Sequence, residues 1–305
     1  MGGSPIPVIL DTDIGTDIDD TWALAMLLRC PELDLRLVTA STGDPIYRAK
    51  LCARLLETAG RTDVAVGVGR PTEMKPDHRT QAPWVEGYDL AKYPGEVHED
   101  GAGALVEAIM ESPEPVTVIA IGPLTTVAAA LGREPRIAAR ARFVGMHGSI
   151  AWSHHGDGKA AAEYNVKHDV PACQRVFAAP WPKTITPLDT CGRVRLTGAK
   201  YAAVAASGDP FARAVIENYE VWKRSGGWVK EPGTSSVLFD CVAVYLAFSE
   251  ELLAMSRMKL IVTGDGFTRE DPAGSEVNVA LDWKDLGAFE DLLVERLTGK
   301  GQSPA

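Results

Sequence analysis

The chain is poor in several signals that would have assigned it quickly. Its five cysteines (Cys30, Cys52, Cys173, Cys191, Cys241) are odd in number and scattered. None forms a Cys-x-x-Cys pair, which excludes the usual zinc and dithiol motifs and reads as reduced thiols of a cytoplasmic protein. No apolar run reaches the length of a membrane span, so no membrane partner is expected. Residues 1–7 lack a basic segment and an apolar segment, so no signal peptide is expected. No cluster of Lys and Arg occurs, and the net charge of −10 argues against a nucleic-acid backbone as partner. What remains is an ordinary globular composition, 46% hydrophobic and 24% charged, over 305 residues.

Apolar strand-like runs alternate with helical patterns. Strands are expected at 8–10, 33–40, 64–68, 116–121, 142–146 and 182–188. Helices are expected at 21–28, 48–59, 103–110 and, following Gly122-Pro123, through Leu131. Further on, 201–228 reads as one helix, 235–247 as a nearly apolar helix, 259–262 and 277–281 as strands, and 286–297 as an amphipathic helix. Residues 299–305 read as a frayed tail. Such alternation predicts an α/β fold: a single domain over 1–305 with a mostly parallel open sheet flanked by helices. Ligands of such sheets sit beyond the carboxyl ends of the strands.

At one such end lies Asp11-Thr12-Asp13-Ile14-Gly15-Thr16-Asp17-Ile18-Asp19-Asp20. Helix capping and the helix dipole account for one or two acids there, not five. A hard divalent cation bound by oxygens is the economical answer. Three readings compete. The EF-hand fails, because counting from Asp11 the fifth position is Gly15 and the twelfth is Trp22. A haloacid-dehalogenase-type phosphatase would use Asp11 as nucleophile and Asp13 as acid/base, and leaves Asp17, Asp19 and Asp20 unexplained. The third is taken up below.

Residues 70–100 are polar, rich in Pro, Gly and His, and hold His78, Trp84, Glu86, Tyr88 and His98. A loop of this length is either a functional lid or disordered; the aromatics favour a lid, although a loop aromatic can also fold back onto the core. Residues 148–163 carry Trp152, His154, His155, Asp157 and Lys159, read as solvated loop residues. Asp240 is the one charge in its apolar run, and a carboxylate there needs a cation or hydrogen-bond donors.

The opening motif resembles Asp-Thr-Asp-x-Gly-x-Asp-Asp of the nucleoside hydrolase family, with two extra residues. The resemblance then runs along the chain. The stretch from Leu37 to Asp44 looks like that family's second strand and its Gly-Asn/Asp turn. Ile121-Gly122-Pro123-Leu124-Thr125-Thr126 is similar to a family turn, Ala162-Glu163-Tyr164-Asn165-Val166-Lys167-His168-Asp169 to its Ala-Glu-Phe-Asn-x-x-x-Asp signature, and Asp240 to its late metal-binding Asp. Four motifs in order disfavour the phosphatase.

The resemblance implies a Rossmann-like sheet, cytoplasmic location and a homodimer or homotetramer. It implies a small nucleoside substrate and Ca²⁺ held by Asp13, Asp20, Asp240 and the Ile121 carbonyl. Asp13 would be general base to a calcium-bound water attacking C1′. Asp19, Asp44, Glu163 and Asn165 would contact the riboside, with Trp84 and Trp152 near the base. Asp157 falls where the family often has an Asn on the 5′-hydroxyl. Asp11 would anchor the loop. Asp17, in the insertion, either supports the ligands or takes the place of Asp19. Phe239 departs from the pattern, since many members carry there a His that protonates the leaving base. Candidates for its work are His78, His98, His154 and Tyr88 as acids, or Trp84, Trp152 and Trp228 by stacking. A non-catalytic calcium-dependent riboside-binding protein is the alternative that Phe239 encourages.

Overall fold

In a computed structural model the described residues are 4–73, 75, 78–153, 158–227, 229 and 231–299. They form a ten-stranded sheet. In chain order the strands are β1 (Ile6–Thr12), β2 (Leu33–Ala40), β3 (Ala65–Val68), β4 (Val97–His98), β5 (Val116–Ala120), β6 (Ala141–Met146), β7 (Lys183–Thr186), β8 (Leu253–Val262), β9 (Thr268–Glu270) and β10 (Ser275–Trp283). Their order across the sheet is β4-β3-β2-β1-β5-β6-β7-β10-β8-β9. All pairs are parallel except β10–β8 and β8–β9. The chain builds outward from β1 to β4, then returns to place β5 on the other flank of β1. The gap beyond the carboxyl ends of β1 and β5 is therefore the point where strand order reverses, and open parallel sheets hold ligands there.

The helices are α1 (Asp19–Leu27), α2 (Pro45–Thr58), α3 (Gly101–Glu111), α4 (Thr125–Arg133), α5 (Tyr164–His168), α6 (Val170–Ala178), α7 (Leu188–Cys191), α8 (Gly198–Ala205), α9 (Pro210–Arg224), α10 (Cys241–Leu246) and α11 (Leu286–Thr298). The pleat of β1 divides the core in two. Val8 and Leu10 enter one apolar cluster with α1, α2, α9, α10 and α11, while Ile9 enters the other with α3, α4 and α6. All nine residues of α1 are buried, Asp19 and Asp20 among them. That helix has no solvent face, so its acids cannot be a solvated surface pair.

Several local readings are corrected. Residues 201–228 are not one helix: Asp209 accepts a hydrogen bond from the Ala212 amide at 2.9 Å and starts α9 before Pro210, leaving α8 separate. Within 235–247 only Cys241–Leu246 is helical. Residues 235–238 instead lie against 194–196, with Leu238 N donating to Val194 O at 3.0 Å and Ser235 N to Leu196 O at 2.9 Å. The strand expected over 182–188 stops at Thr186, and α7 follows. The expected lid is largely packed structure. It contains short 3₁₀ turns at Ala82–Val85 and Leu90–Lys92 and the edge strand β4, and Trp84, Val85 and Tyr93 are buried in the core. Of the tail, Gly299 closes α11 in a left-handed conformation and the rest lies outside the described residues.

Candidate active site

The acidic loop between β1 and α1 is pinned from several sides. Gly15 adopts φ +112°, and a Cβ there would lie 2.7 Å from both Leu51 and Tyr47, so both backbone angle and space require glycine. The Gly15 carbonyl accepts from Tyr47 Oη at 2.9 Å and from Thr80 Oγ1 at 3.0 Å. Arg48, buried, donates to Ile14 O at 2.7 Å, Thr42 O at 3.0 Å and Thr16 Oγ1 at 3.1 Å, and its guanidinium stands 3.9 Å from Asp13. Gln81 Nε2 donates to Asp17 O at 2.8 Å. Asp11 lies under the loop and accepts from the hydroxyls of Thr39 and Ser41 at the end of β2. Burial raises its pKa to about 7 against those hydrogen bonds.

Asp19 and Asp20 open α1, and Asp240 directly precedes α10. One carboxylate oxygen from each lies within 4.8 Å of the others, all three side chains being buried. Thr12 Oγ1 donates to Asp20 at 2.5 Å. Burial first, and then the neighbouring carboxylates, push the protons of these three acids well above the ordinary range. Such a cluster is costly without a cation. Its all-oxygen donor set fits a hard divalent ion. Asp13 is also raised by burial, with Arg48 and then His168 opposing. The expected ligand set named Asp13, Asp20, Asp240 and the Ile121 carbonyl; the acidic triad that converges here has Asp19 beside Asp20 and Asp240.

β5 and β6 supply the adjoining floor. Asn165 Nδ2 donates to Ile121 O and Met146 O, each at 3.0 Å, which fixes the carbonyl at the end of β5. A Cβ on Gly122 would meet Asp13 N and Oδ1 at 2.8 Å, so glycine lets this turn touch the acidic loop. Glu163 caps α5, accepting from Asn165 N at 2.7 Å, Val166 N at 3.2 Å and Gly148 N at 3.1 Å. Burial nevertheless lifts its pKa to about 7.

These groups share a cavity of about 660 Å³. Asp13, Asp17, Asp19, Asp20, Asp240, Ile121, Glu163, Asn165, His78 and Phe239 all line it. A second cleft, of about 560 Å³, opens where the strands begin, beside Pro7, Ile9 and Val116, away from the buried acids. Other expected residues lie elsewhere. Asp44 caps α2 through the Tyr47 amide at 3.1 Å and pairs with Arg79 at 2.5 Å. Trp84 is buried with the Arg54 guanidinium 4.4 Å over its ring. His98 sits on β4 facing Glu96 at 3.7 Å, and Tyr88 bonds Glu57. Trp152 does not line the cavity; its amide donates to Asp189 at 3.0 Å. His154, Asp157 and Trp228 lie outside the described residues.

The structure adds residues that the sequence reading gave no role. Asp189 collects the amides of Ile150, Ala151 and Trp152 and so holds that loop. Tyr164, Lys167, His168, Arg195 and Trp222 line the cavity. The His168 ring lies 3.7 Å from that of Tyr164, and its Nδ1 meets Tyr164 O at 2.9 Å. Neither arginine is marked in the sequence: Arg48 shares its helix with Lys50, Arg54 and Glu57, and Arg195 stands in a mixed stretch.

Among curated proteins, the chain is 30% identical over 318 residues to the pyrimidine-specific ribonucleoside hydrolase RihA of Enterobacter sp. (strain 638), covering 96% of this chain and 97% of that one. It is 29% identical over 208 residues to an uncharacterized protein of Schizosaccharomyces pombe, covering 65% of this chain. Solved structures share the fold: a plant nucleoside hydrolase, PpNRh1, with a TM-score of 0.80 at 24% identity over 96% of this chain and 99% of that one, and a purine-preferring ribonucleoside hydrolase from Gardnerella vaginalis, with a TM-score of 0.78 at 20% identity over 96% and 98%. The family model described as inosine-uridine preferring nucleoside hydrolase matches residues 8–289. With the acidic loop, the β5 turn and Asp240 all inside that match, the chain belongs to the inosine-uridine preferring nucleoside hydrolase family.

Proposed function

We propose that this cavity hydrolyses the N-glycosidic bond of ribonucleosides, giving ribose and free base. The observation that carries the reading is the buried convergence of Asp19, Asp20 and Asp240 at the reversal point of the sheet. Asp13, Asp20, Asp240 and the Ile121 carbonyl would hold Ca²⁺, with Asp19 close enough to join them or to take a ribose hydroxyl. When bound, the ion supplies a water of lowered pKa and open positions for the 2′- and 3′-hydroxyls.

The protein's own groups do the rest. Asp13 accepts the proton of the attacking water, and Arg48 beside it keeps that carboxylate available as a base. Asn165 and Glu163 face the ribose from the floor, their positions fixed by backbone hydrogen bonds. A chelated diol selects ribosides over 2′-deoxyribosides. Neither Trp84 nor Trp152 enters this account, because neither lines the cavity.

The reading includes cytoplasmic location, with which five free, buried cysteines agree. It also includes a homodimer or homotetramer, which sedimentation of the purified chain tests. The decisive assay measures released ribose from inosine, uridine, cytidine, adenosine, 2′-deoxyuridine and p-nitrophenyl riboside, with calcium and with chelator. Calcium-dependent cleavage of ribosides and not of the deoxyriboside is expected. Cleavage undiminished by the chelator, or equal cleavage of the deoxyriboside, would overturn it.

A further inference from the structure

The leaving group is the open question, because Phe239 has no proton to give. The walls of the cavity differ. The α5 side offers Tyr164, Lys167 and His168 beside Asn165. Another part of the lining comes from 194–197 running against 234–238, and with the end of α9 it presents Trp222, Val237 and Phe239. Trp222 and Phe239 give this part aromatic surface on which a flat nucleobase can rest.

Arg195 stands in this wall. It falls between the two hydrogen bonds that fix the arm, Leu238 N to Val194 O and Ser235 N to Leu196 O, so Ser236 and Val237 lie across from it and Asp240 follows close behind. It is half-buried. Among the described residues its guanidinium has neither a hydrogen bond nor a carboxylate within ion-pairing distance. Arg48, beside Asp13, by contrast bonds through each of its three guanidinium nitrogens, to Thr42 O, Ile14 O and Thr16 Oγ1. A half-buried guanidinium with unused donors, in a cavity rich in carboxylates, is set to meet an acceptor that enters with a ligand.

We infer that Arg195 binds the departing base and stabilises it as an anion, so that the enzyme acts on nucleosides whose base delocalises negative charge onto a ring carbonyl, as uracil and hypoxanthine do. This rests on the hydrolase reading above. The C1′–N bond breaks with its electron pair left on the base nitrogen. The water oxygen forms the new bond to C1′, and its proton goes to Asp13. The base anion, paired with Arg195, is protonated afterwards from solvent. Adenine is disfavoured, because it departs most readily once protonated and a permanent cation repels that form.

The test compares Arg195→Ala, Arg195→Lys and the unaltered enzyme on uridine, inosine, adenosine and p-nitrophenyl riboside, with ribose as a competitive inhibitor. In Arg195→Ala, kcat on uridine and inosine should fall about 10²–10³-fold, the loss of one donor aimed at developing charge. Cleavage of p-nitrophenyl riboside, whose leaving group needs little help, should change less than about tenfold, and ribose inhibition should stay constant. Arg195→Lys should recover part of the loss. Equal losses on all substrates, a weakened ribose inhibition, or no loss on uridine would overturn the assignment. An unaltered enzyme that cleaves no riboside at all, p-nitrophenyl riboside included, would instead remove the hydrolase reading on which it stands.

Discussion

The acidic loop after β1 and the arm that carries Arg195 face one cavity but are built on opposite terms. In the loop, the backbone is tied down by side chains from outside it. Arg48, Tyr47, Thr80 and Gln81 hold its carbonyls, and Thr12 holds Asp20. In the arm, two backbone hydrogen bonds fix the frame while, among the described residues, the guanidinium of Arg195 makes neither a hydrogen bond nor an ion pair. The first arrangement suits chemistry common to every substrate, where a small displacement of a carboxylate is costly. The second suits a group whose partner arrives with the substrate.

The contrast can be broken most severely at the acids. Asp240→Asn or Asp20→Asn should lower kcat/KM by at least about 10³-fold and abolish calcium binding by calorimetry, because the shared cation loses a charged ligand. Full calcium affinity in either variant would show that the triad is not the metal seat. Asp13→Ala should abolish hydrolysis of nucleosides and of p-nitrophenyl riboside alike, which separates it from Arg195.

Gly122→Ala comes next. Its Cβ would press on Asp13 at 2.8 Å, so the β5 turn or the loop must move. A fall in kcat of roughly 10²-fold, with an unchanged circular dichroism spectrum, is expected from misplacement alone. Stability then distinguishes the two arginines. Arg48→Met leaves the carbonyls of Ile14 and Thr42 without their donor and should cost about 2–4 kcal/mol in urea unfolding. Arg195→Ala should cost within about 0.5 kcal/mol. Comparable losses would erase the distinction drawn here.

The smallest effect is on pH dependence. Asp11 and Glu163 rise to about 7 from ordinary values of 3.8 and 4.5. The folded state therefore holds these protons more tightly than the unfolded chain does. Their contribution to stability is complete below the unfolded values and is lost as pH rises through about 7. The melting temperature of the calcium-free chain should fall between pH 5 and pH 8, both roughly chosen to bracket that range. Asp11→Asn should flatten the slope, and a profile that rises over this interval would contradict the assignment.

Much of the framework was legible because it is written locally. β2 ends where its apolar run ends, and β1, β5 and β6 lie within a residue or two of their hydrophobic stretches. The break between α8 and α9 was also written, as Ser207-Gly208-Asp209-Pro210, but the helical pattern on either side masks it. The run 235–247 misled for another reason. Its apolar residues face the core whether helical or extended, and pairing with 194–197 decided the matter. Trp84 illustrates the same limit: an aromatic in a polar segment can cover a cavity or fill a core, and contact with Arg54 and the apolar cluster put it in the core.

The sequence by itself determined the mostly parallel sheet and the acidic loop at a strand end, because periodicity, a turn glycine and clustered like charge act over neighbouring residues, and its motifs in order carried the resemblance to the family. Only the tertiary structure decided which carboxylates meet. Asp240 joins Asp19 and Asp20 because β1, β5 and the segment before α10 converge at the point where strand order reverses. Arg48 and Arg195 read alike in the chain. One is spent and the other left available because packing places three acceptors around the first and, among the described residues, none around the second.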